Sequence, residues 1–266
     1  MSFHSDSIFP AVDCNYFSSY NLIVACVGVG NVAQLACDLL IYNLGCDVIS
    51  SLNLEYCPSV VGINPHQLSR DAHNLMTTSQ IYASRELQLA VLQIRAPPFT
   101  GSKRRHVKEL VTFLKSMKFK TVVLLSSSFA TILKDEELNS PPLQYALSSS
   151  FCASDRKRLD ELGWHPLKTY TDHLNCKLSV VYYLPGCGIA SYLFEELLKH
   201  EEISVCLLNL FTSEGDNSGD ALYVVQHLDS WLQFKAQRGV KNTNLDWSIP
   251  SSWSYLFGTD PVNELY

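Results

Sequence analysis

Short apolar runs, each followed by a turn and an amphipathic stretch, recur along this chain and restrict it to a layered packing of strands and helices. Residues 21–27 are a continuous run interrupted by no charge, the pattern of a strand buried on both faces. The turn Gly28-Val29-Gly30 follows. From Asn31, a candidate N-cap, Val32, Leu35, Ala36, Leu39 and Leu40 recur at helical spacing, and Gly45 is placed to end the helix. Residues 48–54 read as the next strand, giving a first βαβ crossover.

The same alternation continues downstream. Residues 80–95 form two stretches around Ser84-Arg85, a hairpin that Pro97-Pro98 stops. Val107, Leu110, Val111 and Leu114 mark an amphipathic helix leading into a strand at 120–125. Residues 176–184 read as a further strand, followed by the turn Pro185-Gly-Cys-Gly188 and a helix through Leu193, Leu197 and Leu198. A strand at 203–211 and the polar turn at 213–217 precede a long helix that presents Ala221, Val224, Val225, Leu228, Trp231 and Leu232 on one face. This order predicts an α/β fold, with helices layered on both sides of a mostly parallel central sheet that the hairpin makes mixed. Residues 134–150, with Pro141-Pro142, read as a surface insertion, and 238–246 as a linker to an aromatic segment. The expected organisation is one α/β domain over residues 1–258 with a tail at 259–266.

The formal net charge of −6 and pI of about 5.7 give no general field for a phosphate backbone, which argues against nucleic acid as the main ligand. The first residues lack a basic segment with a long apolar run, and no stretch reaches the ~18 apolar residues of a membrane helix, so a cytoplasmic protein is expected. Nine cysteines, an odd number without a Cys-x-x-Cys, fit buried thiols better than disulfides. No paired metal-ligand spacing occurs either, so no metal site is expected.

Three motifs invite a catalytic reading. Gly28-x-Gly30-x-x-Ala33 lies between a strand and a helix, where a dinucleotide loop needs its glycines, and Glu55 lies at a spacing suited to a ribose contact. A packed β-α turn explains the same glycines, and no second nucleotide-binding half follows. Ser126-Ser127-Ser128 lacks the flanking glycines of a nucleophile elbow, so capping or turn hydrogen bonds are the simpler reading. Glu214 and Asp216 could be imagined as an acid pair, but Asp216 and Asn217 are expected as helix caps. Lys103, Arg104, Arg105 and Lys108 begin the one concentrated basic region, which is either a solvated helix face or a surface facing an acidic partner.

Four segments in order, Val29-Gly-Asn-Val-Ala-Gln-Leu-Ala36, Leu125-Ser-Ser-Ser128, Ser213-Glu-Gly-Asp-Asn217 with Asp220-Ala-Leu222, and Ile249-Pro-Ser-Ser-Trp253 with Leu256-Phe-Gly258, closely resemble the proteasome assembly chaperone family. The resemblance implies an α/β sandwich of phosphorylase-like architecture and a role without catalysis or cofactor. It implies a heterodimer with proteasome assembly chaperone 1 that binds proteasome α subunits, promotes α-ring formation and blocks off-pathway ring association, in the cytoplasm and the nucleus. The Gly28–Gly30 turn is then structural, and a nucleotide- or nucleoside-handling enzyme using that turn is the alternative. Proteasome-binding proteins related to this family carry a terminal hydrophobic-tyrosine-any motif that enters pockets between α subunits. The corresponding residues are Glu264, Leu265 and Tyr266, with no residue after the tyrosine. The segment at 247–258 is expected to fold back over the domain, with contact to the partner chaperone as the alternative.

Overall fold

Alternating burial on two faces organises the molecule around one eight-stranded sheet. The computed structural model describes residues 15–66, 75–133, 140–171, 180–237 and 247–255. In chain order its elements are β1 (Asn21–Ala25), α1 (Val32–Asn43), β2 (Asp47–Ser51), β3 (Val61–Ile63), β4 (Leu75–Thr77), β5 (Ser79–Ser84), β6 (Leu89–Ile94), α2 (Lys103–Met117) and β7 (Thr121–Phe129). There follow β8 (Leu143–Leu147), α3 (Ala153–Glu161), β9 (His165–Pro166), β10 (Tyr170–Thr171), β11 (Val180–Val181), α4 (Ala190–Leu197), β12 (Val205–Thr212), α5 (Ser218–Leu232) and α6 (Phe234–Gln237).

The sheet runs β2-β5-β6-β1-β7-β12-β8-β9. Its centre is parallel: Val24 of β1 stands beside Leu92 of β6 and Leu124 of β7, and Leu208 of β12 stands beside Leu125 of β7. The β5–β6 hairpin and the β12–β8 pair are antiparallel, which makes the sheet mixed as expected. Successive residues of a strand point to opposite faces. Leu22, Val24, Val122, Leu124, Val205 and Leu207 therefore join one core with α2 and α4, while Ile23, Ala25, Val123, Leu125, Cys206 and Leu208 join the other with α1 and α5. Helix α1 is buried on nearly all sides because α5 packs over it.

Several elements differ from the sequence reading. Strand β2 follows α1 as expected but pairs antiparallel with β5 at the sheet edge, so the hairpin stands between it and β1. Ser126, Ser127 and Ser128 are not turn residues: β7 runs through them, and they pair with Asn209, Leu210 and Phe211 of β12. Within the stretch read as a surface insertion, Leu143–Leu147 is strand β8, largely buried and paired with β12. The strand expected at 176–184 appears among the described residues only as β11, which pairs with β10 outside the main sheet. Both departures have one cause, since long-range pairing with β12 or β10 decides what a short ambiguous run becomes. The linker expected at 238–246 lies outside the described residues.

Helix α1 ends as its sequence indicates. Gly45 has φ 55°, and the Cys46 N–H donates to the Ile41 carbonyl at 3.1 Å, closing a Schellman-type end. Its start differs from expectation: Asn31 is in the left-handed region at φ 52° and its side chain caps nothing.

Residues 247–255 of the aromatic segment fold back over the domain, and 256–258 lie outside the described residues. Trp247 and Trp253 are buried in the α1/α5 core, and Asn43 at the end of α1 holds Ser248 through two hydrogen bonds of 2.8 and 2.9 Å. Lys235 Nζ sits 4.9 Å from the Trp247 ring centroid. Because Trp253 fills core space, Trp253→Ala is expected to cost about 3–5 kcal/mol of unfolding free energy. Urea denaturation followed by circular dichroism checks this, and a loss below ~1 kcal/mol would mean the segment is only peripherally attached.

Candidate functional site

Ligands of open α/β sheets sit at the carboxyl ends of the parallel strands, and the residues singled out from the sequence gather at that edge. Gly28–Gly30 follows β1, Ser126–Ser128 ends β7 and Asn217 follows β12. A cleft of about 590 Å³ opens there, lined among others by Gly28, Asn31, Phe129, Gly186 and Glu214.

The turn is packed against its neighbours. Gly28 has an extended backbone, and a Cβ on it would fall 2.8 Å from the Ser127 carbonyl oxygen. Gly30 has φ 63°, and a Cβ there would lie 2.2 Å from Asn217 Oδ1. The Val29 N–H donates to the Gly186 carbonyl at 3.1 Å and the Asn31 N–H to the Gly28 carbonyl at 3.2 Å. Ser127 Oγ donates to the Val29 carbonyl at 2.6 Å. A dinucleotide loop aims its N–H groups at phosphate, whereas here these two donors are engaged within the protein. Glu214, the one charged residue of the cleft lining among the described residues, has the wrong sign for a phosphate. Glu55 follows β2, three strands from β1 and therefore ~14 Å away across the sheet. In a dinucleotide fold the strand carrying that acid lies next to the first, so the hairpin removes the ribose contact.

Ser127 and Ser128 are internal polar links, whereas the buried Ser126 hydroxyl finds no hydrogen-bond partner among the described residues. Ser128 Oγ accepts from Asn209 Nδ2 at 2.7 Å, wholly inside the sheet. Asp216 behaves as expected, accepting from the N–H and hydroxyl of Ser218 at 3.0 and 2.6 Å, and those bonds lower its pKa. Asn217 does not cap α5 with its side chain. It turns inward instead, donating to Thr212 Oγ1, the Ser213 carbonyl and Asp220 Oδ2 beneath the Gly30 turn. Glu214 is exposed and Asp216 is tied to the helix start, so the two are not an acid pair.

Two clusters escape sequence reading because their members lie far apart in the chain. Asp38 of α1 receives Nη1 and Nη2 of Arg95 at 3.1 and 2.7 Å and Nε2 of Gln93 at 2.8 Å, with His66 Nε2 3.3 Å away. Burial raises the Asp38 carboxyl, but His66 and the Arg95 guanidinium outweigh it and hold its pKa below the ordinary 3.8. One sequence signal exists for this cluster, an acidic residue inside the otherwise apolar face of α1. The second is Cys57, whose Sγ lies 3.7 Å from His106 Nε2, with Glu109 Oε2 3.5 Å from the other ring nitrogen. It has the outline of a nucleophilic triad. However, burial and the nearby Glu109 push the thiol up to about 11, the opposite of what a thiolate nucleophile needs. Glu109 Oε1 also accepts the Glu55 N–H at 2.7 Å, so the cluster clamps the 55–57 turn onto α2. Among the described residues no three His, Cys, Asp or Glu side chains converge as a metal-binding group.

The basic residues singled out from the sequence are on the surface. Lys103, Arg104, Arg105 and Lys108 are exposed on the first turns of α2, with Lys103 Nζ 3.3 Å from the Gly188 carbonyl. That turn holds no acidic residue, so the cations face the positive end of the helix dipole, an arrangement that weakens the helix. Glu264, Leu265 and Tyr266 lie outside the described residues.

The fold and these surfaces define an α/β domain whose Gly28–Gly30 turn is packed against Ser127 and Asn217 and whose surface carries a basic patch at the start of α2. The PAC2 family model matches residues 22–234. The chain is 35% identical over 247 residues to the Danio rerio protein named proteasome assembly chaperone 2, covering 91% of this chain and 93% of that protein. The Homo sapiens protein of that name is 31% identical over 251 residues, with the same coverage. In fold, the chain matches the crystal structure of Pyrococcus furiosus PbaA, described as an archaeal homolog of proteasome-assembly chaperone, with a TM-score of 0.59 at 17% identity over 85% of this chain and 90% of that one. This chain belongs to the PAC2 family.

Two outcomes follow from the site. Gly30→Ala is expected to cost about 2–4 kcal/mol, from backbone strain and contact with Asn217. Adding Asn217→Ala should recover part of that loss in a double-mutant cycle by chemical denaturation, and simple additivity would refute the contact. For Asp38, the folded carboxyl titrates below its unfolded value, so its stabilisation is complete above about pH 5 and lost as pH falls through ~4 and below. Asp38→Asn, which strands the Arg95 charge, is expected to cost about 3 kcal/mol at pH 7. Its stability should then fall less steeply than the wild type's between pH 5 and 3, and parallel curves would contradict the assignment.

Proposed function

We propose that this chain is a non-catalytic chaperone of 20S proteasome assembly. The observation that carries the reading is its 35% identity, over 91% of its length, to a relative named proteasome assembly chaperone 2. In this reading it works in the cytoplasm and nucleus as a heterodimer with proteasome assembly chaperone 1. The pair holds α subunits, promotes the α-ring and keeps rings from associating off-pathway. The packed Gly28–Gly30 turn supports binding over nucleotide chemistry, because its close contacts are occupied by Ser127 and Asn217.

Two surfaces are assigned to the ring. The basic first turn of α2 meets an acidic surface of the ring, which accounts for cations kept against the helix dipole. Residues Glu264, Leu265 and Tyr266 insert between α subunits. Burying Leu265 and Tyr266 contributes about 1.5–3 kcal/mol each, against an association cost of about 4–15 kcal/mol. The tail therefore acts as one arm of a multivalent contact.

Binding of the purified heterodimer to α rings tests this reading. Deleting residues 264–266 and substituting Arg104→Glu with Arg105→Glu should each weaken binding by about tenfold or more. The charge variant should at the same time stabilise the isolated chain by about 0.3–1 kcal/mol per residue through the helix dipole. Unchanged ring affinity in both would remove these surfaces, and saturable micromolar nucleotide binding would favour an enzyme instead.

A further inference from the structure

The start of α2 meets the turn that leads into α4, where Lys103 Nζ reaches the Gly188 carbonyl at 3.3 Å. Three of the four exposed aromatic side chains among the described residues, Phe99, Tyr183 and Tyr192, lie within five residues of that link in sequence. Phe99 is 51% exposed, and its carbonyl accepts from the N–H and the hydroxyl of Ser102, which fixes it beside the first turn of α2. Tyr192, 49% exposed, stands on the first turn of α4. Lys103, Arg104 and Arg105 supply exposed positive charge at the same corner. A cavity of about 60 Å³ lies there as well, lined by Lys103 with Ile94, Pro97, Pro98, Gly188 and Ile189.

The β3–β4 ribbon also exposes apolar side chains, Val61, Ile63 and Leu75, but neither strand carries a charge that would select a partner. At the α2 corner the cations select for carboxylates, and Tyr and Arg are among the residue types that carry most interface energy. A fully buried aromatic side chain removes ~150–250 Å² from water, so three half-exposed rings offer a few hundred Å² of apolar contact around the charges. The cavity has space for an Ala- or Val-sized group and too little for an aromatic ring. A nucleic-acid backbone fits poorly, because it needs a positive groove that tracks several nucleotides. Glu195 and Glu196 follow Tyr192 one helical turn along α4 and end the positive surface on that side.

We propose that this corner is the anchor of the ring contact and takes an acidic polypeptide segment. Its carboxylates pair with Arg104 and Arg105, while an Ala- or Val-sized side chain of the segment enters the cavity beside Lys103. Phe99 and Tyr192 pack against the segment and exclude water from the ion pairs, which strengthens them. The inference rests on the reading that the first turn of α2 meets the ring, and it names what that ring surface carries. It also separates two contributions: the cations set the rate of encounter, and the buried aromatics set the lifetime of the complex.

The test is binding of the purified heterodimer to α rings, with association and dissociation rates followed at about 50 and about 300 mM salt. A Phe99→Ser, Tyr192→Ser variant changes only exposed positions, so it should melt within about 2 °C of wild type and still pair with proteasome assembly chaperone 1. It should leave the ring about tenfold faster or more, with an unchanged salt dependence. Ala96→Val, which fills the cavity, should weaken ring binding by about tenfold. Arg104→Glu with Arg105→Glu should instead slow association and flatten the salt dependence. Wild-type dissociation of the folded aromatic variant overturns the proposal and leaves the basic turn in place. Wild-type affinity in Ala96→Val overturns the apolar side chain assigned to the cavity. If the charge variant also binds as wild type does, or wild type does not bind rings, the ring reading itself has failed. Loss of the heterodimer in the aromatic variant, or a wild-type homodimer that this variant splits, overturns the proposal too, since the occupant is then the partner chaperone or a second copy. So does binding of a fluorescent single-stranded oligonucleotide at ~150 mM salt that the aromatic and charge variants both abolish.

Discussion

Burial of β1, β7 and β12 on both faces is the constraint from which the rest of the molecule follows. Each of these strands sends successive side chains into opposite cores, so neither face can be left wet, and helices must cover both. Fixing one residue of backbone costs about 1–2 kcal/mol, and burying a Val, Leu or Ile contributes about 1.5–3. Only a strand buried on alternate residues of both faces leaves a clear surplus. The outer strands, with one open flank, are where short elements and the exposed ribbon occur.

Covering both faces also fixes the loops. The turn after β1 must pass over the end of β7, which brings Gly28 against Ser127 and Gly30 against Asn217. Two of the polar groups drawn into the middle are paired internally, Ser127 with the Val29 carbonyl and Asn209 Nδ2 with Ser128. A glycine-bearing β-α turn can serve phosphate or close packing. Here atoms of Ser127 and Asn217 fill the space a side chain on either glycine would need, so the turn that resembles a cofactor loop in sequence is a structural joint.

The surfaces left over divide by chemistry. The first turn of α2 keeps three cations, Lys103, Arg104 and Arg105, exposed at the unfavourable end of a helix dipole, and the β3–β4 ribbon keeps uncharged aliphatic side chains in solvent. Neither arrangement helps the isolated chain fold. Both are surfaces that remain open to a binding partner.

Local periodicity was enough to determine the α/β class, the β5–β6 hairpin, the buried face of α5 and the end of α1 at Gly45, because each depends on residues within a few turns of one another. The docking of Trp247 and Trp253 was also foreseeable, since two large aromatics in a short segment need a surface to cover. Tertiary structure alone decided that β2 lies at the edge, that Ser126 to Ser128 belong to a strand, and that Leu143 to Leu147 enter the sheet. Each depends on a partner strand tens of residues away. The same holds for Asp38 with Arg95 and for Cys57 with His106, clusters assembled from distant segments. A one-dimensional pattern records what each segment can bury, and only the packed sheet determines which neighbours it meets.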